Sequence, residues 1–186
     1  MQLNNKLSIL IIGFSAVGKS SICNRYVHDV YENKYSPTIE DTYRITKTYN
    51  DKQYLIEIID SSGHEIMHHM RHDYVENSKG IVLMYSTKLK ESFVDAMEIY
   101  EYITYINNKV PIILCSNKCD KNIPDESNIN ELAQKFAKTT NVYFIKTSAK
   151  DNLNINELFD TIIDLSIKYT NSIVPLRIKK KKCIIL

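Results

Sequence analysis

An apolar run, Leu7 to Ile12, stops at Gly13-Phe14-Ser15-Ala16-Val17-Gly18-Lys19-Ser20 and gives way at once to a helix-patterned stretch that reaches His28. Nothing else in the chain narrows its fold as much. Glycine is scarce, four in 186 residues; two bracket this octet and a third closes Asp60-Ser61-Ser62-Gly63 after another apolar run. In G-x-x-x-x-G-K-[ST] the glycines, lacking Cβ, let the backbone curl its N–H groups toward phosphate oxygens at the positive end of a helix. Lys19 is then placed for β- and γ-phosphates and the Ser20 hydroxyl for Mg²⁺, so the two signatures together predict a nucleoside triphosphate and its metal.

Strand and helix patterns alternate along the rest of the chain. Tyr43 to Tyr49 and Gln53 to Asp60 read as strands joined by a turn at Asn50-Asp51. Helix is expected over Ile66 to Asn77, Glu91 to Asn107, Ile129 to Lys138 and Ile155 to Tyr169, and strand over Gly80 to Tyr85, Ile112 to Ser116 and Val142 to Lys146. Such alternation predicts a mostly parallel α/β sheet with one antiparallel strand and helices on both faces, its ligand beyond the carboxyl ends of the strands. No Pro-, Gly- or Ser-rich linker interrupts it. Cys23 and Cys115 lie in apolar elements and read as buried small hydrophobes, Cys119 lies in a loop, and no disulfide is expected.

Two further tetrapeptides each follow an apolar strand at the same sheet edge: Asn117-Lys118-Cys119-Asp120 and Thr147-Ser148-Ala149-Lys150. A carboxylate at Asp120 can accept from the ring N–H and the exocyclic amine of guanine, a donor pair that adenine lacks. Asn117 and Lys118 would brace that loop and the base, and the Ala149 N–H would reach the guanine carbonyl. Standing in order behind the phosphate loop, these segments select GTP and GDP.

With these motifs in place the chain resembles a small GTPase of the Ras superfamily over nearly its whole length. Tyr35-Ser36-Pro37-Thr38-Ile39-Glu40-Asp41-Thr42-Tyr43 is similar to the effector segment of the Ras and Rap families. The resemblance implies a P-loop GTPase domain with a six-stranded sheet over residues 1–170, which hydrolyses GTP to GDP and phosphate. It implies nucleotide contacts through Gly13, Ser15, Ala16, Val17, Gly18, Lys19, Ser20 and Ser21, through Tyr31 and Tyr35 in the first switch, and through Ser148, Ala149 and Lys150 beside the base. Thr38 would join Ser20 and Asp60 around Mg²⁺ and, with Lys19, Gly63 and His64, form the hydrolytic centre. Tyr35, Pro37, Thr38, Ile39, Glu40, Asp41, Thr42 and Tyr43 would meet effectors with Ras-binding-type domains, by extending the partner's sheet. The other implied partners are an exchange factor and, brought into question below, a GTPase-activating protein. The chain itself would be a monomer.

Two residues depart from the Ras pattern. His64 stands where that pattern has the glutamine that orients the attacking water, and Ser15 where it has a glycine leaving room for that glutamine and for a partner's arginine finger. Slow hydrolysis and a poor response to such activators follow, with a permanently GTP-bound binding module as the alternative. A histidine can also position water, as in translational GTPases, and the reaction would then be pH-sensitive near neutrality. His64-Glu65-Ile66-Met67-His68 spells H-E-x-x-H as well, a zinc-protease signature, but no downstream ligand motif accompanies it and His64 directly follows a Ser-Gly loop. His68, His69 and His72 are therefore expected at the surface.

Arg177 and Lys179 to Lys182 hold five of the 24 basic residues, which leaves 19 against 22 acidic ones over residues 1–176, a net −3. The basicity belongs to the end of the chain, and a nucleic-acid-binding body is excluded. Residues 171–186 read as a flexible polybasic tail ending in Cys183-Ile184-Ile185-Leu186, a C-a-a-X box whose leucine favours geranylgeranyl. Prenylation of Cys183 by a prenyltransferase, together with the basic run, would hold the protein on the anionic cytoplasmic side of the cell membrane.

Overall fold

The computed structural model describes residues 5–32, 40–61, 68–120 and 128–173. Six strands, β1 (Lys6–Gly13), β2 (Glu40–Tyr49), β3 (Lys52–Ser61), β4 (Gly80–Ser86), β5 (Ile112–Asn117) and β6 (Tyr143–Lys146), form one sheet in the order β2-β3-β1-β4-β5-β6. Among the described strands only β2 runs antiparallel to its neighbour, as the alternation of patterns predicts. Among the described residues five helices cover it: α1 (Lys19–His28), α2 (His68–Asn77), α3 (Lys90–Ile106), α4 (Ile129–Thr140) and α5 (Ile155–Ile173).

β1 is apolar from Ile9 to Ile12 because both of its faces are covered there. Leu7, Ile9 and Ile11 pack with Ile22 and Cys23 of α1 and with Leu158, Phe159 and Ile162 of α5. Leu10 and Ile12 point the other way, to Val75 of α2, Ala96, Ile99 and Ile103 of α3, and Ile129 and Ala133 of α4. The period of two thus divides one strand between two cores. β1 lies between β3 and β4, so successive crossovers leave it on opposite sides and open a crevice at its carboxyl end, where the phosphate loop begins. Cys23 and Cys115 are buried, Cys119 is half-buried, and none of the three is in a disulfide.

Differences from the expected boundaries have local causes. β2 begins at Glu40 rather than Tyr43, since Glu40, Asp41 and Thr42 pair with Ser61, Asp60 and Ile59 although none is apolar. Asn50 and Asp51 both take positive φ, 47° and 59°, as a two-residue hairpin turn requires. α4 runs to Thr140 rather than Lys138, and β6 begins one residue after Val142, whose N–H closes the end of α4 on the Ala137 carbonyl at 2.9 Å. α3 spans 90–106 rather than 91–107. α5 continues to Ile173, three residues past the boundary drawn at 170; Thr170 and Ser172 return their hydroxyls to the Ser166 and Tyr169 carbonyls, so polar residues extend it. The described part of α2 starts at His68; Ile66 and Met67 lie outside the described residues.

Candidate functional site

Three loops meet at the carboxyl ends of β1, β3, β5 and β6. In the first, Gly13, Ala16 and Gly18 have φ of 152°, 58° and 97°. A Cβ on Gly13 would stand 2.1 Å from the Met84 carbonyl oxygen, and one on Gly18 would stand 2.4 Å from Asn117 Nδ2. Both positions need glycine for conformation and for space at once. Lys19 opens α1 and is buried, and its Nζ donates to the Gly13 and Phe14 carbonyls at 2.9 and 3.0 Å, arching along the loop. Burial brings its pKa down to about 8, against the pull of Asp60.

Asp60, at the end of β3, is completely buried. Neither carboxylate oxygen meets a donor at full hydrogen-bonding geometry among the described residues. Burial pushes its pKa up to about 6, and the nearby Ser20 hydroxyl and Lys19 ammonium, which favour the anion, only partly offset it. A buried carboxylate short of partners beside a hydroxyl is a hard-oxygen donor set, and it fits Mg²⁺.

The second and third loops brace the first. Asn117 Nδ2 donates to the Val17 carbonyl at 2.8 Å and Lys118 Nζ to the Ala16 carbonyl at 2.7 Å, across a hundred residues of sequence. Thr147 Oγ1 donates to Asn117 Oδ1 at 3.1 Å, and the Cys119 N–H to the Thr147 carbonyl at 3.0 Å. Ser148 Oγ donates to Asp120 Oδ1 at 2.6 Å and Lys88 Nζ to Asp120 Oδ2 at 2.9 Å. Burial alone would raise the Asp120 carboxyl; these two donors outweigh it and leave its pKa below the usual value. Arg25 of α1 donates from Nε to the Ala149 carbonyl at 3.0 Å, and its guanidinium lies 5.9 Å from the centre of the Tyr31 ring.

Of the expected site residues, Gly13, Ser15, Ala16, Val17, Gly18, Lys19, Ser20, Ser21, Tyr31, Asp60, Asn117, Lys118, Asp120, Ser148, Ala149 and Lys150 fall within the described residues. Lys150 is exposed and Ala149 buried. Tyr35, Pro37, Thr38, Ile39, Gly63, His64 and Cys183 lie outside them, and only the backbone of Glu40 is described. Of the effector residues, Asp41 is exposed on edge strand β2, whereas half-buried Tyr43 turns inward and donates its hydroxyl to Asn24 Oδ1 at 3.1 Å. His72 is exposed, 3.9 Å from Glu76. Sequence reasoning missed Lys88, Thr87 and Arg25; each reaches the site from a turn or helix that carries no motif of its own.

The Ras family pattern matches residues 8–168, from β1 into α5. The chain belongs to the Ras family. Among curated relatives, the Ras-like protein rasU of Dictyostelium discoideum is 32% identical over 167 residues, covering 89% of this chain and 78% of that protein. Family membership makes the chain a small GTPase built as a guanine-nucleotide switch.

Proposed function

We propose that the chain is a membrane-anchored guanine-nucleotide switch that recruits effectors in its GTP state and hydrolyses GTP slowly. The lacing of the phosphate loop to Asn117 and Lys118 carries the reading, because it joins the phosphate and base pockets into one rigid seat. Gly13 to Ser20 would cradle the β- and γ-phosphates with backbone N–H groups, and Lys19, still mostly protonated at neutral pH, would neutralise them. Asp60 and Ser20, with Thr38, would hold Mg²⁺, which supplies charge neutralisation on the phosphates when bound. Asp120 would read the guanine donors, and Ala149, tied by Arg25, would face its carbonyl.

Slow hydrolysis is supported by Ser15 and His64, which both bear on the water-positioning step, while Lys19, Ser20, Asp60 and Asp120 keep the residue types that binding needs. The outer edge of β2 supports effector docking by sheet extension, since its outer backbone groups have no partner strand among the described residues. The same two substitutions favour a second reading, a permanently GTP-bound module. Chromatography of the nucleotide released from freshly purified protein tests both. GDP indicates a switch that turns over, GTP indicates a protein held on, and an adenine nucleotide or none overturns the family of readings together.

A further inference from the structure

Lys88 occupies the turn between β4 and α3, and its neighbour Thr87 is tied to the base-reading loop. The Thr87 N–H donates to the Asn117 carbonyl at 3.2 Å, Thr87 Oγ1 to the Lys118 carbonyl at 3.2 Å, and the Lys88 N–H to Ser86 Oγ at 3.2 Å. From this anchored position its ammonium reaches Asp120 Oδ2 at 2.9 Å, while Ser148 holds Oδ1. The Asp120 side chain is 13% exposed and that of Lys88 39%, so the carboxylate is sheltered while the ammonium stays in contact with solvent. The Lys118 ammonium is held below its ordinary pKa first by burial and then by the Lys88 charge, against the pull of Asp120.

We propose that Lys88 shares Asp120 with the bound base, so that this chain selects guanine less stringently and releases nucleotide faster than it would without that lysine. The inference rests on the reading of Asp120 as the guanine acceptor. Base sites of this kind reject an analogue lacking the exocyclic amine because a buried carboxylate oxygen is then left bare. Here Oδ2 keeps a charged donor whatever the base supplies, so a hypoxanthine nucleotide forfeits less. The ammonium is also a stronger donor to a carboxylate than a neutral amine, and it competes for the same oxygen when guanine is present. Lys88 is thus a specificity-determining residue that acts through Asp120.

The test uses the full-length chain loaded with GDP or IDP, with release followed by exchange against a fluorescent guanine nucleotide. Lys88→Gln is expected to slow GDP release by about twofold to fivefold and to widen the preference for GDP over IDP by a similar factor, the range of a partly exposed ion pair. Lys88→Arg is expected to behave as the parent. Raising salt is expected to slow GDP release from the parent and leave Lys88→Gln unmoved. An unchanged or narrower preference in Lys88→Gln, or faster GDP release, overturns the proposal. Asp120→Ala separates the layers. If it keeps the preference for GDP over IDP, the base-acceptor reading falls and the proposal with it; if it loses that preference while Lys88→Gln changes nothing, only the role of Lys88 falls.

Discussion

At Asp60 a carboxylate is buried with neither oxygen fully partnered, and such a group costs stability whenever it is charged. Its raised pKa gives the sign. Between the ordinary carboxylate value and about 6 the folded chain binds more protons than the unfolded one, so stability falls as pH rises through that window. Asp60→Asn, unfolded by urea in the presence of EDTA at pH 7, is expected to be more stable than the parent by about 1–3 kcal/mol, an advantage that vanishes by about pH 4. An equally stable or weaker variant at pH 7 would count against an unsatisfied charge. Gly18→Ala has the opposite sign. Its methyl would be strained by φ of 97° and would collide with Asn117 Nδ2, so a loss of about 1–3 kcal/mol is expected together with poor retention of nucleotide on gel filtration. These residues were legible in the sequence because phosphate chemistry imposes types and spacing on adjacent positions. Lys88 and Arg25 were not, because a lone lysine or arginine acquires its meaning only when distant segments are folded together.

Among the elements, those buried on both faces announce themselves. β1, β4 and β5 are largely apolar runs whose ends could be placed within a residue, since most of their side chains are buried on one face or the other. β2 is an edge strand, and its first three residues pair through backbone alone, which no pattern of side chains records. Charge adds to that ladder: Glu57 on β3 accepts from Lys6 of β1 at 2.7 Å and from Arg44 of β2 at 2.9 Å. Lys6 first, then Arg44, lower the Glu57 pKa, so the stabilisation is present above the ordinary carboxylate pKa and is lost as pH falls through the depressed value. Because both cations are largely exposed, Glu57→Gln is expected to lower stability by no more than about 1 kcal/mol at pH 7 in low salt, measured by denaturant midpoint, with no difference in high salt. A penalty unaffected by salt would point to packing instead.

For the molecule as a whole, the proposed slow switch makes the on state a matter of synthesis, placement and exchange rather than of hydrolysis. Restoring both departures, Ser15→Gly with His64→Gln, is expected to raise single-turnover GTP hydrolysis by about tenfold or more, within the range that water-positioning groups contribute. A double variant no faster than the parent would show that His64 already positions water. Cys183→Ser is expected to move the protein from the membrane fraction to the soluble one, since a basic run without a lipid supplies only one of two signals. An unchanged distribution would remove the anchor from the proposal.

The bonds from Asn117 and Lys118 to Val17 and Ala16 also set a calendar for the newborn chain. A ribosome emits the phosphate loop about a hundred residues before the side chains that steady it, an interval of roughly 5–20 s at ordinary elongation rates. Until β5 joins the sheet and Thr147 arrives to hold Asn117, the loop has only the Lys19 ammonium to hold it, and capture of nucleotide must wait for nearly the whole domain. A nascent chain of this protein would therefore take up its guanine nucleotide late and in one step.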